Sequence, residues 1–195
     1  MKKVAKSIKG TRTEKNLMIA FASESMAMNR YGYFARIARK EGYEKIASIL
    51  METAENEKAH AEVFSKYFDG GGVEITASFP AAALADTKSN LEAAIIGEHM
   101  SWTVRYADFA RMARDEGFSE IANTFQHIAA AESFHEDRFK KVLHNLVNAL
   151  IFNKRIPENW HCRNCGYVFL GTDAPEVCPS CQHPQAFFEV LAENY

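Results

Sequence analysis

The chain of 195 residues has no cysteine before position 162, no long apolar run and almost no charge imbalance. The missing cysteines exclude a scattered disulfide framework. All four fall in two C-terminal pairs, a usage that fits metal ligation in a reducing compartment. No stretch approaches the roughly 18 apolar residues a membrane helix needs, and no signal-peptide core follows the basic start Met1-Lys2-Lys3-Val4-Ala5-Lys6. A net charge of -2 offers no general attraction for nucleic acid or an anionic membrane. A Gly-rich nucleotide fingerprint is also missing. These absences predict a cytoplasmic protein with neither nucleic acid nor membrane as partner. What remains is 47% hydrophobic, long enough for one substantial core and a small satellite.

Apolar residues at helical spacing predict four long helices. The first runs from about Thr13, a candidate N-cap, to Lys40 and stops at Glu41-Gly42. The second runs from Tyr43 to Phe68 and is broken by Asp69-Gly70-Gly71-Gly72. Val73 to Lys88 reads as a long connection with room for a short helix. A third helix follows Ser89-Asn90 to Arg114, and a fourth spans about Phe118 to Ile151. The two halves repeat at an offset of 75: Arg30-Tyr31 becomes Arg105-Tyr106, Phe34-Ala35-Arg36 becomes Phe109-Ala110-Arg111, and Glu41-Gly42 becomes Glu116-Gly117. Two duplicated hairpins joined by a long crossover predict a mainly α protein, a ferritin-like four-helix bundle over 1–152. Beyond Phe152, helical periodicity gives way to Pro157, cysteines and aromatics, so a small module is expected over 157–195.

The duplication carries chemistry. Glu-x-x-His occurs at Glu57/His60 and at Glu132/His135, and this spacing sends both side chains from one helix face. Glu24 and Glu98 hold similar places in the preceding helices. Four Glu and two His converging inside a bundle form a two-metal carboxylate site. Four buried carboxylates repel one another, and two divalent cations balance their charge. The ligand types suit iron or manganese, with zinc also possible. Glu52, Glu55 and Glu92 read as surface charges, while His127 and His144 lack paired spacing. His99 adjoins Glu98 but points about 100° away. Tyr31 and Tyr106, about two turns after Glu24 and Glu98, are either hydrogen-bond partners of the ligand carboxylates or plain buried tyrosines.

Cys162-x-x-Cys165 and Cys178-x-x-Cys181 form a tetrahedral thiolate signal. Spacing alone leaves a zinc ribbon and an iron centre both open. A redox-capable bundle beside the module favours iron, because the bundle needs an electron source.

Arg12-Thr13-Glu14-Lys15-Asn16-Leu17, Phe21-Ala22-Ser23-Glu24-Ser25, Asn29-Arg30-Tyr31, the two Glu-x-x-His motifs, Gly97-Glu98-His99 and Cys162-Arg163-Asn164-Cys165-Gly166-Tyr167-Val168 together resemble the rubrerythrins over nearly the whole chain. The resemblance implies a di-iron bundle joined to a C-terminal rubredoxin-like Fe(Cys)4 domain, in a homodimer. It implies peroxide reduction, with electrons relayed through the rubredoxin-like iron from rubredoxin or an NAD(P)H-dependent reductase. Glu57 and Glu132 would bridge the irons, with Glu24 on one, joined by His60 in the reduced state, Glu98 and His135 on the other, and Tyr31 and Tyr106 supporting the ligands. One position departs. Where the family has a ligand Glu that exchanges with the equivalent of His60, this chain has Ser101. The departure gives weight to a ferroxidase or oxidase using dioxygen. A zinc-ribbon interaction protein with a structural metal bundle is the non-enzymatic rival.

Overall fold

The computed structural model describes residues 6–81 and 83–193, so Met1 to Ala5 of the basic start lie outside it. Helix α1 (Arg12–Lys40) is capped by Thr11, not by Thr13. The Thr11 hydroxyl accepts from the Glu14 N–H at 3.1 Å, and the Glu14 carboxylate accepts from the Gly10 N–H at 2.7 Å. This is a Thr-x-x-Glu capping arrangement two residues ahead of the expected cap. Gly42, at φ 83°, closes α1 and turns the chain into α2 (Glu44–Ser65). The expected continuation to Phe68 is a looser turn of i to i+3 bonds from Val63, Phe64 and Ser65.

Among the described residues, Val73 to Asp86 contains no helix. The Asp86 side chain caps Ser89 N–H at 2.7 Å, so α3 (Thr87–Met100) begins before the expected Ser89-Asn90. A π turn (Ser101–Arg105) then leads straight into α4 (Tyr106–Asp115), making one interrupted helix. Its origin lies in the duplication. Thr13, Asn16, Leu17, Ala20 and Glu24 recur 74 residues later as Thr87, Asn90, Leu91, Ala94 and Glu98, whereas Arg30 and Tyr31 recur 75 later. One extra residue therefore falls between Glu98 and Arg105, and wider bonding (Tyr106 N–H to the Ser101 carbonyl) absorbs it. Helix α5 (Ser119–Val147) stops short of Ile151 because Ala149 takes φ 55° and Leu150 N–H bonds back to the Asn145 carbonyl at 2.7 Å.

Two apolar clusters fill the bundle. Tyr31, Phe34, Leu50, Leu91 and Phe139 build one, and Leu17, Phe64, Tyr106, Ile121 and Phe125 the other. Between the two clusters lie the buried acids Glu24, Glu57, Glu98 and Glu132, one each from α1, α2, α3 and α5.

The C-terminal module is an antiparallel sheet in the order β2-β1-β3, from β1 (Asn153–Cys162), β2 (Val168–Asp173) and β3 (Phe188–Val190). Pro157 lies inside β1, at a register irregularity where a missing N–H is tolerated. Trp160, Cys162, Cys178 and Phe188 form its core. The module meets the bundle through stacked Tyr43 and Phe152 rings and a Lys45–Glu189 ion pair of 2.9 Å. Among the described residues no helix is long and apolar enough to cross a membrane.

Candidate metal centres

Each helix of the bundle offers ligands at the seam between the apolar clusters: Glu24 from α1, Glu57 and His60 from α2, Glu98 from α3, Glu132 and His135 from α5. The four carboxylates are 1–3% exposed. Their ligand atoms form two groups within which all lie closer than 4.8 Å: Glu24, Glu57, His60 and Glu132, then Glu57, Glu98, Glu132 and His135. Glu57 and Glu132 belong to both. The His60 Nδ1 stands 3.0 Å from Glu57 and 3.1 Å from Glu132, while the His135 Nδ1 stands 2.8 Å from Glu132 and 3.0 Å from Glu57. The duplicated hairpins thus produce a near two-fold arrangement.

The electrostatics are those of a cluster short of positive charge. Burial, reinforced by neighbouring carboxylates, pushes Glu24 and Glu98 well above the usual carboxylate range. Burial acts the same way on Glu57, but hydrogen bonds from His135 and His60 hold it at about 2. Burial disfavours imidazolium at His60, yet Glu132, Glu24 and Glu57 raise it to about 12; Glu132 and Glu57 raise His135 to about 9 against the same burial. Protons on imidazoles and acids thus supply the compensation that cations would supply. Glu57 Oε1 and Glu132 Oε1 are buried without a hydrogen-bond partner, although each lies about 3 Å from an imidazole nitrogen. Two unpartnered carboxylate oxygens in a buried space beside imidazole nitrogens fit a pair of divalent cations, whose binding would displace the protons.

The tyrosines differ. Tyr31 donates its hydroxyl to Glu98. The Tyr106 hydroxyl is buried and has no partner, its ring lying among Phe64, Phe109 and Phe125. Glu52, Glu55 and Glu92 are exposed and near Arg138, Lys58 and Lys88, and His127 and His144 are exposed. His99 points away from the cluster to Glu136. Glu136, only 3% exposed and held by Trp102, His99 and Lys140, was not anticipated, since its spacing to Lys140 reads as a surface pair. Arg105 was also missed as a neighbour of the site. Its Nη1 donates to Ser23 at 2.6 Å and to Ser101 at 3.3 Å.

In the module, Cys162 and Cys181 sulfurs are 3.7 Å apart, as are those of Cys165 and Cys178. That is far beyond a disulfide bond, and it matches the roughly 3.8 Å edge of a tetrahedron with metal–sulfur bonds of about 2.3 Å. Burial pushes the Cys162 thiol up to about 11, against N–H bonds from Cys165 and Asn164. A cation in the tetrahedron would favour the thiolate those N–H groups already face.

A bundle with two overlapping carboxylate–imidazole groups and an appended four-cysteine sheet places the chain among ferritin-like proteins that carry a rubredoxin-like module. The Rubrerythrin family profile matches residues 15–143, and that of the rubrerythrin rubredoxin-like domain matches residues 160–189. The chain is 50% identical over 190 residues to a rubrerythrin of Nitratidesulfovibrio vulgaris, covering 97% of this chain and 100% of that one. It is equally 50% identical to a rubrerythrin of Porphyromonas gingivalis, covering 97% and 95%. Among solved structures, fully reduced nigerythrin matches with a TM-score of 0.62 at 28% identity, covering 96% of this chain and 91% of that one. The chain belongs to the rubrerythrin family, oxidoreductases of oxidative-stress defence with a di-iron site and a rubredoxin-like iron site.

Proposed function

We propose that this chain is a peroxidase that reduces hydrogen peroxide to water, consuming two electrons and two protons per peroxide. The sharing of Glu57 and Glu132 between two ligand groups carries the reading, because it would let two metals sit side by side. In this assignment Glu57 and Glu132 would be shared by both metals, Glu24 and His60 would hold one, and Glu98 and His135 would hold the other. Two ferrous ions, when bound, supply both electrons for O–O cleavage in one encounter. Tyr31 holds Glu98 in place through its hydroxyl, and the apolar clusters on either side keep water from the bridging acids. Ser101 offers only a hydroxyl where the resemblance implies a carboxylate, so His60 would be kept as the ligand on that side in place of the family's exchange. Its Nδ1 already lies within 3.1 Å of both bridging acids.

In the same reading, 1–152 is the catalytic unit and the module from 157 on is the relay, with Cys162, Cys165, Cys178 and Cys181 holding a one-electron iron. Reduced rubredoxin or an NAD(P)H-dependent reductase feeds it. The protein works in the cytoplasm as a homodimer; Phe134 and Ile96, 75% and 64% exposed, support burial against a second copy.

The test is rapid mixing of anaerobically reduced, iron-loaded protein with peroxide and, separately, with dioxygen. Faster oxidation by peroxide, coupled to turnover with reductant, is expected. A dominant dioxygen reaction returns the site to the ferroxidase or oxidase reading, which Ser101 favours. Colourless protein that takes up zinc at both sites and reacts with neither oxidant overturns both.

A further inference from the structure

A narrow cavity of about 10 Å³ lies against the acid cluster, lined by residues of α1, α3 and the π turn and by Pro80 of the connection. Ser23, Glu24, Arg30, Glu98, Ser101 and Arg105 supply its polar lining. That volume admits about one water-sized group. Arg105 bridges the two helices by donating to Ser23 and Ser101. Arg30 approaches from α1 with its Nη2 beside Gly97, and its buried Nε has no hydrogen-bond partner. Among the described residues neither guanidinium forms an ion pair, although four buried carboxylates stand nearby. Glu24, Glu57 and Glu132 face the imidazoles and Glu98 accepts from Tyr31, which leaves the Arg30 Nε unpartnered and both arginines lining the cavity.

The charge balance gives these cations a task. Four carboxylates neutralise two divalent metals, and oxidation of both adds two positive charges that this ligand set does not balance. Ser101 contributes no negative charge on that side, and Arg30 and Arg105 add positive potential there. A small anion entering between them meets fork-shaped donors that suit oxyanion geometry. We propose that Arg105, fixed by Ser23 and Ser101 and assisted by Arg30, forms a subsite for a compact monoanion beside Glu24. Hydroperoxide, with one oxygen in the cavity, is the occupant in turnover, and azide, of the same charge and width but longer, is the probe. The inference rests on the two-metal reading of the cluster given above, and concerns what the chain adds next to it.

The experiment titrates azide into oxidised, iron-loaded full-length protein and follows the visible spectrum, with iron content measured for every variant. Arg105→Met should weaken azide at least tenfold, and Arg105→Lys by less. Ser101→Glu, which supplies its own carboxylate, should also weaken azide at least tenfold. An Arg105→Met protein that holds two irons in the bundle and binds azide as wild type does overturns the subsite and leaves the metal assignment standing. Wild-type protein that never takes two irons into the bundle overturns the assignment itself. Should Arg105→Met fail to fold, Ser101→Glu decides alone, and unchanged azide affinity there overturns the subsite.

Discussion

Glu116, in the turn of the second hairpin, accepts hydrogen bonds from both the N–H of Thr13 at 2.9 Å and its hydroxyl at 2.7 Å. Arg12 adds its own N–H at 3.2 Å. The duplicate Glu41 does the same for the other half more sparingly, accepting from the Thr87 N–H at 3.0 Å. Each hairpin turn therefore caps the first helix of the other hairpin, satisfying amides that would otherwise end in solvent.

Glu116→Gln should destabilise the protein by about 1–2 kcal/mol at neutral pH, and Glu41→Gln by less. The bonds to Thr13 and Arg12 outweigh burial and hold the Glu116 carboxyl at about 2. A depressed folded-state pKa means that the stabilisation is complete above the unfolded value of about 4.3 and fades as pH falls toward 2. Urea unfolding of wild type and Glu116→Gln at pH 7 and pH 3 should show the gap narrowing at the lower pH. An equal gap at both would mean the carboxylate charge plays no part.

Tyr31 and Tyr106 are sequence duplicates with different duties, so their phenylalanine variants should diverge. Tyr31→Phe leaves a buried acid without its donor and should cost about 1–3 kcal/mol of metal-free stability, and loosen metal binding at the Glu98 side by about tenfold or more. Tyr106→Phe deletes a hydroxyl with no partner and should be neutral or slightly stabilising. Calorimetry of the metal-free proteins reads the first difference, and competition with a chelator the second.

The parts of the molecule legible in the sequence are those whose signal is local. The i, i+3 spacing of Glu57/His60 and Glu132/His135, the helix stops at Gly42 and Gly117, and the paired cysteines each fit within a few residues. Contacts between distant segments were legible only where the duplication signals them, as for the converging acids and Tyr31. Arg105 reaches the site through Ser23, 82 positions away in the chain, and Glu136 is buried because Trp102 covers it from another helix. Two other features were present but unread: the Thr11-x-x-Glu14 capping arrangement, and the step from 74 to 75 in the repeat offset that marks the π turn.

Cys165 is the exposed member of the four-sulfur cluster, so Cys165→Ser tests the relay with least damage to the module core. The variant should lose module iron while far-UV circular dichroism keeps the helical signal. Steady-state peroxide turnover from an external reductant should fall at least tenfold, while a single turnover from a chemically pre-reduced bundle stays near wild type. Equal loss in both assays would place the cysteines in a structural role.

The π turn makes a prediction about register. Tyr31 follows Glu24 by seven residues along an uninterrupted helix, whereas Tyr106 follows Glu98 by eight across the turn, and both tyrosines are buried. The wider turn lets an additional residue enter without rotating α4 by the roughly 100° that one residue imposes on a regular helix. Deleting Val104, which is 48% exposed, should therefore restore the seven-residue spacing and leave Glu98 and Tyr106 both facing inward. We expect a folded protein with a regular third helix, melting at or above the wild-type temperature. Its bundle should still bind two metals, but its azide affinity should be altered, because Ser101 and Arg105 turn relative to each other. Amide exchange over Ser101–Arg105 reads the local change: protection should rise in the deletion variant. If deletion instead unfolds α4 or expels Tyr106 from the aromatic cluster, the turn is a required part of the helix and not an absorbed insertion.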